Sequence, residues 1–189
     1  TRNSIDSTGD RDFILEFLAA GAICALHLSR LAEDFILYSS QEFGFIRIDD
    51  AFCTGSSMMP QKRNPDVMEL VRGKVGRVYA ALAGMLTLGK GLATAYNRDL
   101  QEDKLHLFSA HDTLTASLEI VAAVVRHTTF NTERLVAATQ HGFIDATVLA
   151  EYLVGKGVPF REAHQHVGTL VSACEKQGWE LGEMPLDGL

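Results

Sequence analysis

The chain has 189 residues, 47% of them hydrophobic, which is enough for one large domain or for one domain with part of another. A formal net charge of −7 argues against a nucleic-acid-binding role, and the lack of an uncharged apolar run of about 18 residues argues against a membrane span. Three well-separated cysteines (Cys24, Cys53 and Cys174) fit neither a disulfide framework nor a close-spaced zinc site, and they indicate a reducing, cytoplasmic location.

Positive charge is concentrated in the middle of the chain. The stretch from Lys62 to Lys104 holds eight basic and five acidic residues, so it carries +3 within an acidic chain. A patch of this size suits a small anionic ligand better than a polyanion. We therefore expect a small-molecule substrate.

The chain is predicted to be helical almost throughout. Apolar residues cover most of the circumference of a helix from Arg11 to about Tyr38, which places this helix inside a bundle or at a subunit interface. Ser7, with Asp10 three residues later, is a plausible capping box for its start. Ile46 and Ile48 alternate with polar residues and predict a short strand or an extended connection.

A second helix is predicted to begin at Asn64-Pro65, with Asn as the N-cap and Pro at the first helical position, and to run to about Leu88. After a break at residues 89–97, a third helix is expected from about Leu100 to His127. Glycine is unfavourable inside a helix, so three of them in the second helix predict close helix–helix approach. These glycines are Gly73, Gly76 and Gly84.

The character of the sequence changes near residue 130, where shorter helices follow. Asn131 begins the first of them, and the others are predicted at about residues 144–154 and 160–177. The predicted fold is all-α. A long-helix bundle domain, N-terminally incomplete, covers residues 1–130, and part of a small helical C-terminal domain covers residues 131–189.

Residues 54–66 form a loop that combines groups suited to proton abstraction. Gly55 frees the backbone, Ser56 and Ser57 follow, and Lys62 lies just before a helix N-terminus, which favours anions. A serine hydroxyl acts as a base only if cations and N–H donors stabilise the alkoxide. The lysine and the loop amides are candidates for that role.

This loop resembles the signature of the fumarase/aspartase superfamily, whose members mostly release fumarate by β-elimination. The matching residues are Gly55-Ser56-Ser57, Met59-Pro60, Lys62 and Asn64-Pro65. Gln61 to Asp66 is similar to the argininosuccinate lyase branch, as are residues 3–13, 96–104 and 156–164. The likeness extends over essentially the whole chain. It implies a lyase that converts argininosuccinate to fumarate and arginine without a metal or an organic cofactor.

The resemblance also implies residue roles. Ser56 would be the base that removes a proton from the succinyl part of the substrate, with Ser57 as the weaker alternative, and Lys62 would stabilise the aci-carboxylate intermediate. Glu69 would support the catalytic histidine of a neighbouring subunit, although a surface ion pair with a nearby cation explains it equally well. Arg11 would contact a substrate carboxylate or serve only capping and packing. The remaining substrate-binding candidates are Asn64, Tyr96, Gln101 and Lys104.

The second catalytic group of the superfamily is a histidine that follows a threonine, and none of the seven histidines here does so. The first residues also lack an initiator Met and the apolar core of a signal peptide. We therefore expect the sequence to be part of a longer protein and to be inactive alone. In the superfamily each site is assembled from three subunits of a homotetramer, and the same assembly is expected here.

Two other functions stay open: another superfamily lyase such as adenylosuccinate lyase, or a structural role like that of the delta crystallins. A metal site at His164 and His166 is rejected, because residues two apart point to different faces of a helix. Met58 and Met59 are expected to pack against the bundle.

Overall fold

The computed structural model describes residues 2–185, and the chain divides into two compact units, residues 1–130 and residues 131–189. The helices of the first unit are α1 (Ser4–Gly9), α2 (Asp12–Tyr38), α3 (Asp66–Gly89) and α4 (Asp103–Arg126). Its short strands are β1 (Ile46–Ile48), β2 (Thr54–Gly55), β3 (Arg63–Asn64) and β4 (Thr128–Phe130). The second unit contains α5 (Thr132–Ala138), α6 (Ala146–Gly155) and α7 (Phe160–Gln177). The prediction of an all-α fold is confirmed.

The core of the first unit lies between α2, α3 and α4. One cluster is centred on Leu18, Val78 and Met85, and a second contains Met68 and Val124. All five of these side chains are at most 1% exposed. Full burial of one such side chain stabilises the fold by about 1.5–3 kcal/mol. The three long helices therefore form one bundle, and the loops that connect them lie at its two ends.

Helix α2 is long and apolar enough, by length and composition, to cross a membrane, with a mean hydropathy of 1.6 over an 18-residue window. The sequence analysis looked for an apolar run without any charged residue and therefore missed this helix. A window with one or two charged residues can still be apolar enough to cross a membrane. In the structure the helix packs in the bundle and buries Ile14, Leu18, Ala25 and Ala32. Its other face leaves large side chains exposed, namely Phe13, Phe17, Ile23, Leu26 and Leu37. This pattern agrees with the predicted bundle or interface position.

Two predicted helix starts are wrong. Ser7 does not cap α2, because it lies inside α1, whose N-cap Asn3 accepts a hydrogen bond from the backbone amide of Asp6. Asn64 does not cap α3, because it pairs with Thr54 across the hairpin of β2 and β3. In both cases the residue belongs to another element, α1 or the β2–β3 hairpin, that ends before the long helix begins.

The strand predicted at Ile46 and Ile48 is confirmed. It pairs antiparallel with β4, with Ile46 opposite Phe130 and Ile48 opposite Thr128. Both isoleucines are buried. This ladder closes the end of the bundle at which α2 and α4 terminate and α3 begins.

The expected close helix approach occurs at one of the three glycines of α3. A side chain at Gly84 would collide with the ring of His106 on α4. Gly73 and Gly76 have no described residue within 4 Å of such a position and lie on the exposed side of the helix. For these two glycines the prediction is wrong within one chain, because no other element among residues 2–185 covers that side of α3.

The second unit is a small set of helices in which α6 packs against α7. Its core includes Ala150, Ala163, Val167 and Cys174. The predicted start of α5 is confirmed, since Asn131 Oδ1 accepts a hydrogen bond from the amide of Arg134 at 3.1 Å.

Candidate active site

The predicted serine and lysine lie on a narrow hairpin. In the β2–β3 ladder Thr54 is opposite Asn64 and Gly55 is opposite Arg63. Ser56 and Lys62 are the next residues on the two arms, so the register places them on facing sides of the tip. Residues 57–61 close the turn. The hairpin, which we call the serine loop (residues 54–64), therefore brings the candidate base and the candidate cation together.

The hydroxyl of Ser56 is already surrounded by donors. Its Oγ accepts hydrogen bonds from the backbone amides of Met58, at 3.2 Å, and Met59, at 3.1 Å. Hydrogen bonds to an oxygen that becomes negative favour its deprotonated form. Ser57 is exposed, and its hydroxyl makes no hydrogen bond to residues 2–185. Of the two serines, Ser56 thus has the environment that a base requires.

Arg63 holds the serine loop in shape. Its Nε is 3.2 Å from Asp50 Oδ1, and its Nη1 donates to the carbonyl oxygen of Pro60 at 2.9 Å. Both partners of the ion pair are about half exposed, so the pair contributes at most about 1 kcal/mol. Lys62 is exposed, and its ammonium contacts no acidic side chain in the described part of the chain. The arginine thus serves the loop itself, and the lysine is left available for a bound anion.

The other two candidates at this end of the bundle lie close to the serine loop in sequence. Asn64 is half-buried in β3, and Glu69 is exposed in the first turn of α3. The surface ion pair considered for Glu69 is not formed within residues 2–185, because Arg72 bonds Glu33 of α2 instead. The Glu69 carboxylate therefore faces outward from the chain.

The second group of candidates lies at the opposite end of the bundle. Tyr96 is 48% exposed in the connection after α3, Gln101 is in a 3-10 turn, and Lys104 is in the first turn of α4. Helix α3 has 24 residues and spans about 36 Å, and the serine loop precedes its other end. A single chain therefore does not bring Ser56 and Lys104 together.

The length of α3 also changes the interpretation of the positively charged stretch from Lys62 to Lys104. Its basic residues are spread from the segment before α3 to the start of α4, and within the described residues three of them are engaged in ion pairs: Arg63, Arg72 and Lys104. They do not form the single anion-binding patch that the sequence analysis predicted. Regular helix geometry explains the difference, because a stretch that is short in sequence becomes long in space.

The structure adds one residue that the sequence analysis missed. Asp103 is buried, and its carboxylate accepts a hydrogen bond from Arg11 Nε at 2.6 Å and another from Lys104 Nζ at 2.6 Å. Burial acts to raise the pKa of Asp103, but the hydrogen bonds from Lys104 and Arg11 outweigh it, and the pKa is lowered. A signal was present: Asp103 lies three residues after the buried Leu100 and seven before Ala110, at the spacing of the buried face of α4.

Two roles were predicted for Arg11: contact with a substrate carboxylate, or capping and packing. Its contacts in the single chain bear on this choice. Besides Asp103, its guanidinium donates to the carbonyl oxygens of Asp10, at 2.7 Å, and Thr8, at 3.5 Å. Its side chain is 18% exposed. The structure thus shows Arg11 as a packing residue that joins the start of α2 to the start of α4.

The expectation that the two methionines of the serine loop pack against the bundle is wrong. Met58 is 88% exposed and Met59 is 44% exposed. Their backbone amides are turned toward Ser56, and this leaves the side chains on the outside of the tight turn. Within residues 2–185, no group of three or more His, Cys, Asp or Glu side chains is arranged to hold a metal ion.

Comparison with known proteins shows which families the chain matches. Residues 1–80 match the family described as Lyase, and residues 143–189 match the family described as Argininosuccinate lyase C-terminal. Curated relatives named argininosuccinate lyase include one from Nitratidesulfovibrio vulgaris, which is 56% identical over 186 residues. The alignment covers 98% of this chain and 40% of that relative. The chain belongs to the argininosuccinate lyase family.

Solved structures of other lyases have a similar fold. A variant of EDDS lyase with bound fumarate has a TM-score of 0.79 at 28% identity, covering 98% of this chain and 37% of that chain. A class II fumarase from Schistosoma mansoni shares the fold, with a TM-score of 0.82 at 21% identity over 95% of this chain and 36% of that chain. The chain spans about 40% of the length of the curated argininosuccinate lyases it matches.

Next to the serine loop, Cys53 is expected to react slowly with alkylating reagents. Burial raises the pKa of its thiol, and the nearby carboxylates of Asp50 and Asp66 raise it further, whereas Arg63 acts in the opposite direction. The reactive thiolate is therefore scarcer near neutral pH than in a free thiol, and it becomes abundant only at higher pH. Iodoacetamide labelling followed by peptide mass spectrometry across a pH series measures this. Asp50→Asn should increase the rate of labelling. Labelling of Cys53 as fast as that of N-acetylcysteine would contradict the raised pKa of its thiol.

Proposed function

We propose that the complete protein catalyses the reversible β-elimination of fumarate from argininosuccinate, giving arginine. The observation that carries the proposal is the serine loop, in which Ser56 Oγ accepts two amide hydrogen bonds and the hairpin register places Ser56 and Lys62 next on the two arms. Membership of the argininosuccinate lyase family and the similarity to a fumarate-bound lyase structure support the same substrate class. The reaction requires no metal or organic cofactor in this scheme.

In the proposed mechanism Ser56 acts as the base. It takes a proton from the succinyl carbon next to the one that bears the nitrogen, and the electron pair moves into the adjacent carboxylate to give an aci-carboxylate. The ammonium of Lys62 and the N-terminus of α3 favour that additional negative charge. The carbon–nitrogen bond then breaks, fumarate forms, and the leaving nitrogen takes up a proton from the catalytic histidine proposed on a neighbouring copy, giving arginine. Asn64 binds the substrate beside the base.

The remaining roles require a second copy of the chain. Tyr96, Gln101 and Lys104 are proposed to bind polar groups of the substrate, yet they lie at the far end of α3 from Ser56. We infer that one site takes the serine loop from one copy and this second segment from another. Glu69 faces outward and is proposed to support the catalytic histidine of a neighbouring copy.

The exposed apolar surface supports a homotetramer. Along the three long helices, large side chains are 40–70% exposed in the single chain, and these include Phe13, Ile23, Leu70, Leu105 and Phe108. Monomeric proteins rarely leave apolar surface of this extent uncovered. A central bundle of equivalent helices from four copies would bury it. The location proposed for this assembly is the cytoplasm, in keeping with three cysteines that are unpaired.

A direct assay tests the proposal. The purified complete protein is expected to release fumarate from argininosuccinate, followed by ultraviolet absorbance, and to release much less from adenylosuccinate. The second substrate separates this reaction from that of another superfamily branch. If the complete protein has a threonine–histidine pair and still shows no turnover with argininosuccinate, the structural role known from delta crystallins is favoured instead.

A further inference from the structure

We infer that Asp103 is a positioning residue: its buried carboxylate holds the ammonium of Lys104 toward an anionic group of the substrate, and Arg11 keeps the three-residue group net positive. The inference rests on the proposed function, because it deepens the role given there to Lys104. We call these three residues the Asp103 triad.

In the triad, the ammonium of Lys104 is held on one side by Asp103 and is exposed on the other. Asp103 Oδ1 is 2.6 Å from Lys104 Nζ, and Asp103 Oδ2 is 2.6 Å from Arg11 Nε. The Asp103 side chain is 4% exposed, whereas that of Lys104 is 61% exposed. An ammonium group has three N–H donors, so two remain for a ligand after one is given to Asp103. The buried carboxylate therefore serves as a rigid anchor for an accessible cation.

The charges explain why Arg11 is needed. Asp103 and Lys104 alone would sum to zero, and an anion would gain little from approaching them. Arg11 brings the triad to a formal charge of +1, but at 18% exposure, with a further hydrogen bond to the carbonyl of Asp10, it is less accessible. An anion thus meets Lys104 first, and the formal charge of the triad itself stays positive.

Asp103→Asn separates anchoring from charge, because the two effects have opposite signs. Removal of the carboxylate charge makes the triad more positive, which would tighten the binding of an anion. It also releases a long, flexible side chain that must then be ordered at each binding event. Charge effects at an exposed ammonium are weakened by water and salt, so we expect the loss of anchoring to dominate.

The experiment uses the complete, assembled protein with argininosuccinate as substrate. Asp103→Asn is expected to raise KM about 5- to 10-fold with little change in kcat. In a Lys104→Ala background the same substitution is expected to leave KM unchanged or slightly lower, since there is no ammonium left to hold and only the gain in positive charge remains. A merely structural role would change stability in both backgrounds and could not produce that dependence on Lys104. Glu102→Gln, at an exposed neighbour, is the control and should leave KM unchanged.

Arg11→Met provides a second route if Asp103→Asn does not assemble. It leaves the Asp103–Lys104 pair in place and removes the surplus charge, so KM is expected to rise by a smaller factor than in Asp103→Asn and to depend less on salt. If Lys104→Ala raises KM but neither Asp103→Asn nor Arg11→Met does, the inference about the triad is overturned and the proposed function stands. If the wild-type protein releases no fumarate, the proposed function itself fails.

Discussion

Ser56→Ala in the complete protein is expected to lower kcat by about 10²- to 10⁴-fold, the range typical for loss of a general base. Substrate binding and assembly should persist, because only one hydroxyl is removed from the tip of an exposed hairpin. The amides of Met58 and Met59 that surround the Ser56 oxygen would be left without their acceptor, but water can reach them there. Fumarate release, argininosuccinate binding by calorimetry and the oligomeric state by light scattering measure the three properties separately.

Ser57→Ala is the matched control for this prediction. The Ser57 hydroxyl is exposed and makes no hydrogen bond within the described residues, so its removal should leave kcat within a few-fold of the wild type. Wild-type turnover in Ser56→Ala would show that the base lies elsewhere. A large loss in Ser57→Ala alone would transfer the role to the second serine.

Lys62→Met is expected to lower kcat by about 10²- to 10³-fold, as is usual when one stabilising group for a developing anion is removed. Methionine keeps an apolar stem of similar length but has no charge. Because the extra negative charge appears only after the proton is removed, the effect should fall mainly on kcat rather than on KM. Steady-state kinetics over a range of argininosuccinate concentrations separate the two parameters.

Lys90→Met, at the other end of α3, is the control for a general loss of positive charge. It should change kcat very little, because Lys90 lies about 36 Å along the helix from the start of α3. If Lys62→Met raises KM and leaves kcat unchanged, Lys62 binds the ground state of the substrate and does not stabilise the intermediate.

The sequence predicted the long elements well, because their apolar periodicity is regular. The predicted helix at residues 160–177 has the observed bounds of α7, and the helix expected from Arg11 to Tyr38 begins one residue later. Local capping was less predictable. Asn131 accepts the capping hydrogen bond that an asparagine at a helix start predicts. Asn64 instead pairs in a β-ladder with Thr54, ten residues earlier in the chain. Pairing between distant segments, such as β1 with β4, leaves no local signal.

The local geometry of the candidate site was predictable where it is encoded in one short segment. The serine loop has its donors, its serine and its lysine within a few residues, so the pattern and the geometry agree. Asp103 was missed because its role depends on Arg11, which is 92 residues away in sequence. The distance between the two substrate-binding segments follows from the length of α3, which is one uninterrupted helix. This distance becomes evident only when the position of α3 is known.

The central claim is that one active site combines Ser56 from one copy of the chain with Lys104 from another. Co-expression of Ser56→Ala and Lys104→Ala subunits in the complete protein tests it most directly. Each variant alone should be strongly impaired, whereas in mixed tetramers about a quarter of the sites receive an intact Ser56 and an intact Lys104 when the copies combine at random. We predict fumarate release well above the sum of the two single variants. Activity no higher than that sum in verified mixed tetramers would show that both residues act within one chain, and it would contradict the account.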